Sequence, residues 1–284
     1  MTARARKGGD RSRDAVTRGD DGAGRRATAK TCAILLCAGR GERLDANVPK
    51  AFVPLCGRPL FTWSYEALVR CDAVHGIVLV GPVRTLRELL AASGMSSAKL
   101  VATTEGGEQR QHSVARGLHV VPEEFTHVAI HDSARALVSP EVIARAVAEA
   151  IEHGAAIAAI PQADTLKQGT VGTITGTVAR AGLWAAQTPQ VFRRDWLERG
   201  HREAAEVATD DAALVEWLGH PVRLALGATL NFKITTPADL ELAESWLAHR
   251  VAASAGAAVT ASATPVASAA STSTSTAPAK AGKA

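Results

Sequence analysis

Short apolar runs alternate with longer amphipathic ones through the middle of this chain. Runs at 32–37 (CAILLC), 76–80 (GIVLV), 99–102, 128–131 (VAIH) and 155–160 have the length of buried strands. The windows 60–70, 83–92, 109–120, 140–153, 194–203, 211–218 and 237–250 return apolar residues at helical spacing. Strand alternating with helix predicts a Rossmann-like, doubly wound, mainly parallel α/β sheet. Ligands of such sheets bind where loops leave the carboxyl ends of the strands. One stretch, 161–184, breaks the rhythm: it is rich in Thr and Val, with Gly169, Gly172 and Gly176. It suits a β-hairpin, yet has few large apolar residues with which to cover a core. A projecting arm that finds its partners on another subunit accounts for both features.

Composition sets the limits of this domain. Residues 1–30 are rich in Arg, Gly and Asp without apolar periodicity, and 252–284 are almost all small or polar, including STSTSTAPAK. Both read as disordered tails around one domain at 31–251. The pI near 9.0 suggests a nucleic-acid binder until the charge is located. Residues 1–30 carry nine Lys/Arg against four Asp, and the far end adds Lys280 and Lys283, which leaves the middle at −3. An acidic domain with 4% aromatics lacks the basic, stacking surface that nucleic acid requires. No apolar stretch approaches the roughly 20 residues that span a bilayer. No apolar h-region follows the N-terminal charges, so a cytoplasmic protein is expected. Cys32, Cys37, Cys56 and Cys71 form no C-x-x-C pair, and reduced thiols are expected.

Three loops carry the chemistry. The first strand runs into CAGRGERL, with Pro49-Lys50 following. Gly39 and Gly41 allow a tight turn whose N–H groups approach an anion, and Arg43 and Lys50 add positive charge. The spacing matches neither a P-loop nor a dinucleotide fingerprint, since Leu44 stands at the third glycine position. Next comes EGGEQRQHS, where the backbone of Gly106 and Gly107 opens a helix and can read a base edge, with Ser113 on the same face. An ordinary capping turn has the same pattern. The third is HDSAR, at the end of a central strand. Asp132 there suits Mg²⁺, directly or through water, and Arg135 suits a phosphate. His131 reads as a packed strand residue, and Asp132 capping the next helix is the plain alternative. Further polar clusters are Asp164-Thr165, Arg180, Thr188-Pro189-Gln190, Thr209-Asp210-Asp211 and Asn231-Phe232-Lys233.

Taken in order, these segments are far more specific than any one alone. Over about 31–250 the chain resembles the 2-C-methyl-D-erythritol 4-phosphate cytidylyltransferases. The resemblance rests on AGRGERL…PKAF, GGEQRQHSV, HDSAR, ADTLK, TVARAGLWAAQTPQVF, ATDDAALVE and NFKITTPADLELAE. It implies a nucleotidyltransferase, GT-A-like form of the sheet and transfer of CMP from CTP to the polyol phosphate, with Mg²⁺ as cofactor. Arg43 and Lys50 would stabilise charge on the α-phosphoryl group, and Arg180 and Lys233 would position the incoming phosphate. Asp132 would lie near metal and substrate, with Arg135, Thr165, Thr188 and Thr209 lining the polyol phosphate. Cys37, Ala38, Gly39, Gly107, Glu108, Ser113 and Ser133 would hold the cytidine and its phosphates, with Gly41 in the same loop. The resemblance also implies a homodimer in which Thr165 and Arg180 enter the neighbour's site. A related cytidylyltransferase acting on another polyol phosphate, such as ribitol 5-phosphate, stays open as an alternative.

Overall fold

Strand β1 (Thr31–Leu36) is buried along its whole length and hydrogen-bonds to a parallel strand on each side. That double burial follows from TCAILL, which is apolar on both faces of the pleat after Thr31. The computed structural model describes residues 29–39, 48–95 and 97–261. Beyond β1 come the small hairpin β2 (Pro54–Leu55) and β3 (Arg58–Pro59), helix α1 (Leu60–Arg70), β4 (Gly76–Val80), α2 (Val83–Ala92) and β5 (Leu100–Thr104). Then follow α3 (Arg110–His119), β6 (His127–Asp132), α4 (Pro140–His153) and β7 (Ala155–Pro161). The chain continues through β8 (Leu166–Thr170), β9 (Thr173–Val178), β10 (Trp184–Arg193), α5 (Arg194–Glu203), α6 (Asp211–Trp217), β11 (Arg223–Leu226) and α7 (Pro237–Ala261).

The main sheet has the order β11-β7-β10-β6-β1-β4-β5. Every pairing is parallel except the two made by β10, which is antiparallel to both β6 and β7. From β1 the chain first builds outward through β4 and β5, then returns to place β6 on the other side. This reversal opens a crevice beyond the carboxyl ends of β1 and β6. Alternate residues of β1 feed opposite cores. Ala33 and Leu35 pack with Phe61, Leu86 and Ile143 on one face, while Ile34 and Leu36 pack with Val114, Leu197 and Val215 on the other. A third cluster joins Leu55, Leu60, Leu137, Ile234 and Leu247, which ties α7 against the start of α1. With few aromatics, close approach of small residues fills the interior. Gly154 at the end of α4 shows why. It sits at φ 93°, and a Cβ there would meet the Trp196 ring at 2.4 Å.

The doubly wound sheet and the hairpin arm follow the sequence expectation. The arm is the separate ladder β8–β9, whose strands pair only with each other. Two strands of the main sheet escaped the periodicity reading. β10 (WAAQTPQVFR) mixes Ala, Gln and Pro and carries an irregularity between Ala186 and Gln190, and β11 is only four residues long. Strand β5 is shifted, running from Leu100 to Thr104 in place of 99–102. Helix α7 continues to Ala261, past the expected end at 250, so the proposed tail boundary at 252 falls inside a helix. The remainder of both expected tails lies outside the described residues.

Candidate active site

The crevice holds a cavity of about 290 Å³. Its lining includes Ala38, Gly39 and Lys50 from the loop after β1, and Gly107, Glu108, Arg110 and Ser113 from the turn into α3. Asp132 and Ser133 come from the end of β6, and Lys233 from the segment before α7. Three loops distant in sequence therefore meet as the strand ends require. The β1 ladder delivers the first. Cys37 donates its N–H to the Val80 carbonyl (2.7 Å), and Leu36 accepts from Ser133 (3.2 Å). Lys50 is turned back toward the same loop by its N–H bond to the Gly39 carbonyl (3.2 Å), at the start of a short 3-10 turn, Lys50–Phe52. Gly41 and Arg43 lie outside the described residues.

The Gly-Gly turn sits directly on this loop. A Cβ on Gly106 would come within 2.2 Å of the Ala38 Cβ, so the close approach demands glycine. Ser113 Oγ accepts the Gly107 N–H (2.9 Å) and donates to the Gln109 carbonyl (3.2 Å). The hydroxyl thus organises the turn from within, and the Gly107 N–H is already engaged. Cys37 is fully buried, burial pushes its thiol up to about 12, and it is absent from the cavity lining.

Asp132 is the electrostatic centre. Desolvation acts to raise its carboxyl, but Arg110 and Lys233 outweigh that and hold it well below the usual carboxylate range. Oδ1 accepts from Arg110 Nε (3.1 Å) and Oδ2 from Lys233 Nζ (2.7 Å). The backbone N–H of Asp132 is donated to Thr188 Oγ1 (3.1 Å), which in turn lies 3.0 Å from His131 Nδ1. His131 Nε2 is 3.4 Å from the Arg135 carbonyl. The Thr188 hydroxyl donating to Nδ1, with Nε2–H donating to the carbonyl, satisfies every group of this chain with a neutral imidazole. Burial accordingly lowers the His131 pKa to about 4. His131 is a structural strut, as its apolar strand setting suggested.

Other expected site residues are placed differently. The guanidinium of Arg135 bonds the carbonyls of Asn231 (2.8 Å) and Ala186 (3.2 Å), which joins β10 to the Lys233 segment. Thr188 is buried behind Asp132 and absent from the cavity lining. Thr209 is exposed, and Asp210 caps α6 through its bond from the Ala213 N–H (3.1 Å). Thr165 and Arg180 flank the arm, exposed and outside the cavity lining, with Arg180 donating to the Ala163 carbonyl.

Two residues without a role in the sequence reading prove central. Arg110 reaches both Asp132 and Asp211, the latter through Nη1 (2.8 Å), and Asp211 is 1% exposed. Gln190 Oε1 accepts the N–H groups of Asp211 (3.1 Å) and Ala212 (3.2 Å), which fixes the backbone that carries Asp211. A signal for Arg110 did exist: a cation at the first position of a helix opposes the macrodipole and calls for a nearby anion.

Comparison with known proteins gives one consistent outcome. A family model described as 2-C-methyl-D-erythritol 4-phosphate cytidylyltransferase matches residues 31–249. The chain is 45% identical over 225 residues to the protein of that description from Prochlorococcus marinus strain MIT 9313, covering 76% of this chain and 98% of that one. A crystal structure of the Thermus thermophilus enzyme of the same description superposes with a TM-score of 0.61 at 34% identity, covering 75% of this chain and 97% of that one. A 4-diphosphocytidyl-2C-methyl-D-erythritol synthase structure from Anaerococcus prevotii reaches 0.69 at 22% identity, covering 79% and 98%, and supports the fold.

Proposed function

Because the chain belongs to the 2-C-methyl-D-erythritol 4-phosphate cytidylyltransferase family, we propose that it transfers CMP from CTP to that polyol phosphate, releasing pyrophosphate. The single observation that carries the reading is the cavity itself. Glycine backbone from two loops, the cations Lys50, Arg110 and Lys233, and one buried ionised Asp132 converge at the β1/β6 crevice. A phosphate monoester is already a competent nucleophile, so positioning and electrostatic stabilisation suffice. One oxygen of the acceptor phosphate bonds to the α-phosphorus of CTP as the bond to the bridging oxygen of pyrophosphate breaks. Lys50, with Arg43 in the same loop, offsets the charge that develops on the α-phosphoryl oxygens. Lys233 and Arg180 hold the acceptor phosphate in line. The turn carrying Gly107, Glu108 and Ser113 shapes the cytidine end, and Ala38, Gly39, Gly41, Cys37 and Ser133 supply backbone around the triphosphate. Arg135, Thr188 and Thr209 shape the polyol side, the first two from behind.

Among the described residues no group of three or more potential metal ligands occurs. That fits Mg²⁺, which is commonly held by one or two carboxylates together with substrate phosphates. Asp132 is the residue of this chain that would hold it, and the ion would neutralise phosphate charge. The arm supports a homodimer. Its Val171 and Ile174 are exposed, and Thr165 and Arg180 are exposed and absent from the lining of their own cavity. No helix among the described residues is long and apolar enough to cross a membrane, consistent with action in the cytoplasm.

Purified protein given CTP, Mg²⁺ and 2-C-methyl-D-erythritol 4-phosphate should release pyrophosphate, with ribitol 5-phosphate giving a much lower kcat/KM. Absence of release with the first acceptor overturns the assignment. A preference for ribitol 5-phosphate redirects it to the pentitol-phosphate reaction.

A further inference from the structure

Resting on that reading, we propose that Arg110 is a positioning residue that shares the Asp132 carboxylate, so that Lys233 can pass from Asp132 to the acceptor phosphate. The argument begins with how the two cations on Asp132 differ. Arg110 forks between two carboxylates, Asp132 Oδ1 at 3.1 Å and Asp211 Oδ2 at 2.8 Å. Its side chain is 31% exposed. Desolvation acts to lower its pKa, but Asp211 and then Asp132 outweigh it, so the charge is permanent. Asp211 is buried and held by Gln190, which leaves Arg110 little freedom to move. Lys233 makes one ion pair, to Asp132 Oδ2, and its side chain is 41% exposed. The rigid fork is suited to staying in place, and the compact ammonium on a flexible stem is suited to exchange.

Charge balance gives this asymmetry a consequence. A buried carboxylate with a single cation holds it strongly, because breaking the pair leaves an uncompensated charge in a low-dielectric site. With Arg110 on Oδ1, Asp132 stays compensated when Lys233 turns to a phosphate. Without Arg110, and before Mg²⁺ and the substrate phosphates arrive, Lys233 is the one side chain in ion-pair contact with Asp132 among the described residues, and is less available. The line of support runs from Gln190 on β10, through Asp211 at the start of α6, to Arg110 on α3, and then to Asp132 on β6. Four elements thus set one carboxylate.

The test separates positioning from simple stability. Arg110→Met alone leaves the buried Asp211 carboxylate, among the described residues, with only His201 Nε2, 3.7 Å from Oδ1, and should lower Tm. The double variant Arg110→Met/Asp211→Asn removes both charges and should recover most of that loss. Positioning predicts that the double variant still has kcat at least tenfold below the unaltered enzyme. The acceptor KM should rise on the order of tenfold, while calorimetric affinity for CTP changes less than threefold. A double variant that recovers both Tm and kcat overturns the proposal, as does equal loss of CTP and acceptor binding. Should the double variant not fold, Arg110→Lys keeps one charge without the fork. A raised acceptor KM in it supports the proposal, and unaltered kinetics overturn it. An unaltered enzyme that releases no pyrophosphate would count against the proposed reaction. Calorimetric binding of inorganic phosphate then reads the inference, which expects weaker binding in the Arg110 variants and fails if binding is unchanged.

Discussion

The crevice and the arm of this protein solve opposite problems. In the crevice the charges around Asp132 are paired within the chain: Asp132 has two cations and Thr188, and Arg110 has two carboxylates. In the arm, Ile174 is 65% exposed and the strands pair only with each other. A two-stranded hairpin of this kind is marginal alone in water. The crevice is preorganised from within, whereas the arm leaves apolar surface uncovered. A site assembled from both would take its electrostatics from one protomer and its finishing contacts from the next.

The largest expected effect lies on the preorganised side. Lys50→Ala should lower kcat by about 10²–10³, the usual loss for one preorganised charge contact. Tm should change little, because Lys50 lines the cavity and its Cα position is held by the backbone bond to Gly39. Pyrophosphate release and thermal unfolding measured on the same preparation check both halves. Near-normal turnover would remove Lys50 from the mechanism.

On the arm side, Arg180→Ala should cost on the order of tenfold or more in kcat/KM for the acceptor, with little change in CTP affinity, as expected when one substrate alone loses a contact. Mixing experiments then sharpen the comparison. If the arm serves the neighbouring site, a Lys50→Ala protomer and an Arg180→Ala protomer together form one intact site. Co-refolded mixtures should regain roughly a quarter of normal activity, since half the dimers are mixed and each has one of two sites complete. Activity no higher than the sum of the separate variants would place Arg180 in its own subunit's chemistry or outside it.

The two regions also differ in how much of them could be read from sequence. Strand β1 was legible because local apolar length determines it. The arm was legible by exclusion, as a segment with β character too poor in large apolar residues to cover a core. β10 was not, because its Pro189 and glutamines argue against a central strand, and only pairing with β6 and β7 overrides that. The Arg110–Asp211 pair was illegible for a related reason. The two residues lie 101 positions apart and meet only once α6 is packed. Ser113 and Arg135 carried the right chemistry, but the structure spends both on backbone groups of their own subunit, which motif reading alone cannot foresee.

An effect on stability and not on turnover concerns what holds the crevice together when the pH falls. His131 is buried and neutral, with its pKa lowered from 6.5 to about 4 by burial. Above pH 6.5 neither the folded nor the unfolded chain protonates it. Between 6.5 and 4 only the unfolded chain takes the proton, so folding stability must fall as pH falls through that window. The full difference is on the order of 3 kcal/mol. Asp132 acts in the same direction but at lower pH, since its depressed carboxyl matters only below its ordinary value of 3.8. Urea unfolding at pH 7 and pH 4.5 should therefore show a loss in the parent that is reduced in His131→Gln, which keeps a donor and an acceptor near Thr188 and Arg135 without a titrating ring. His127, also lowered mainly by burial, remains in both proteins and leaves a residual slope. An unchanged loss in the variant would mean that acid stability is set outside the crevice.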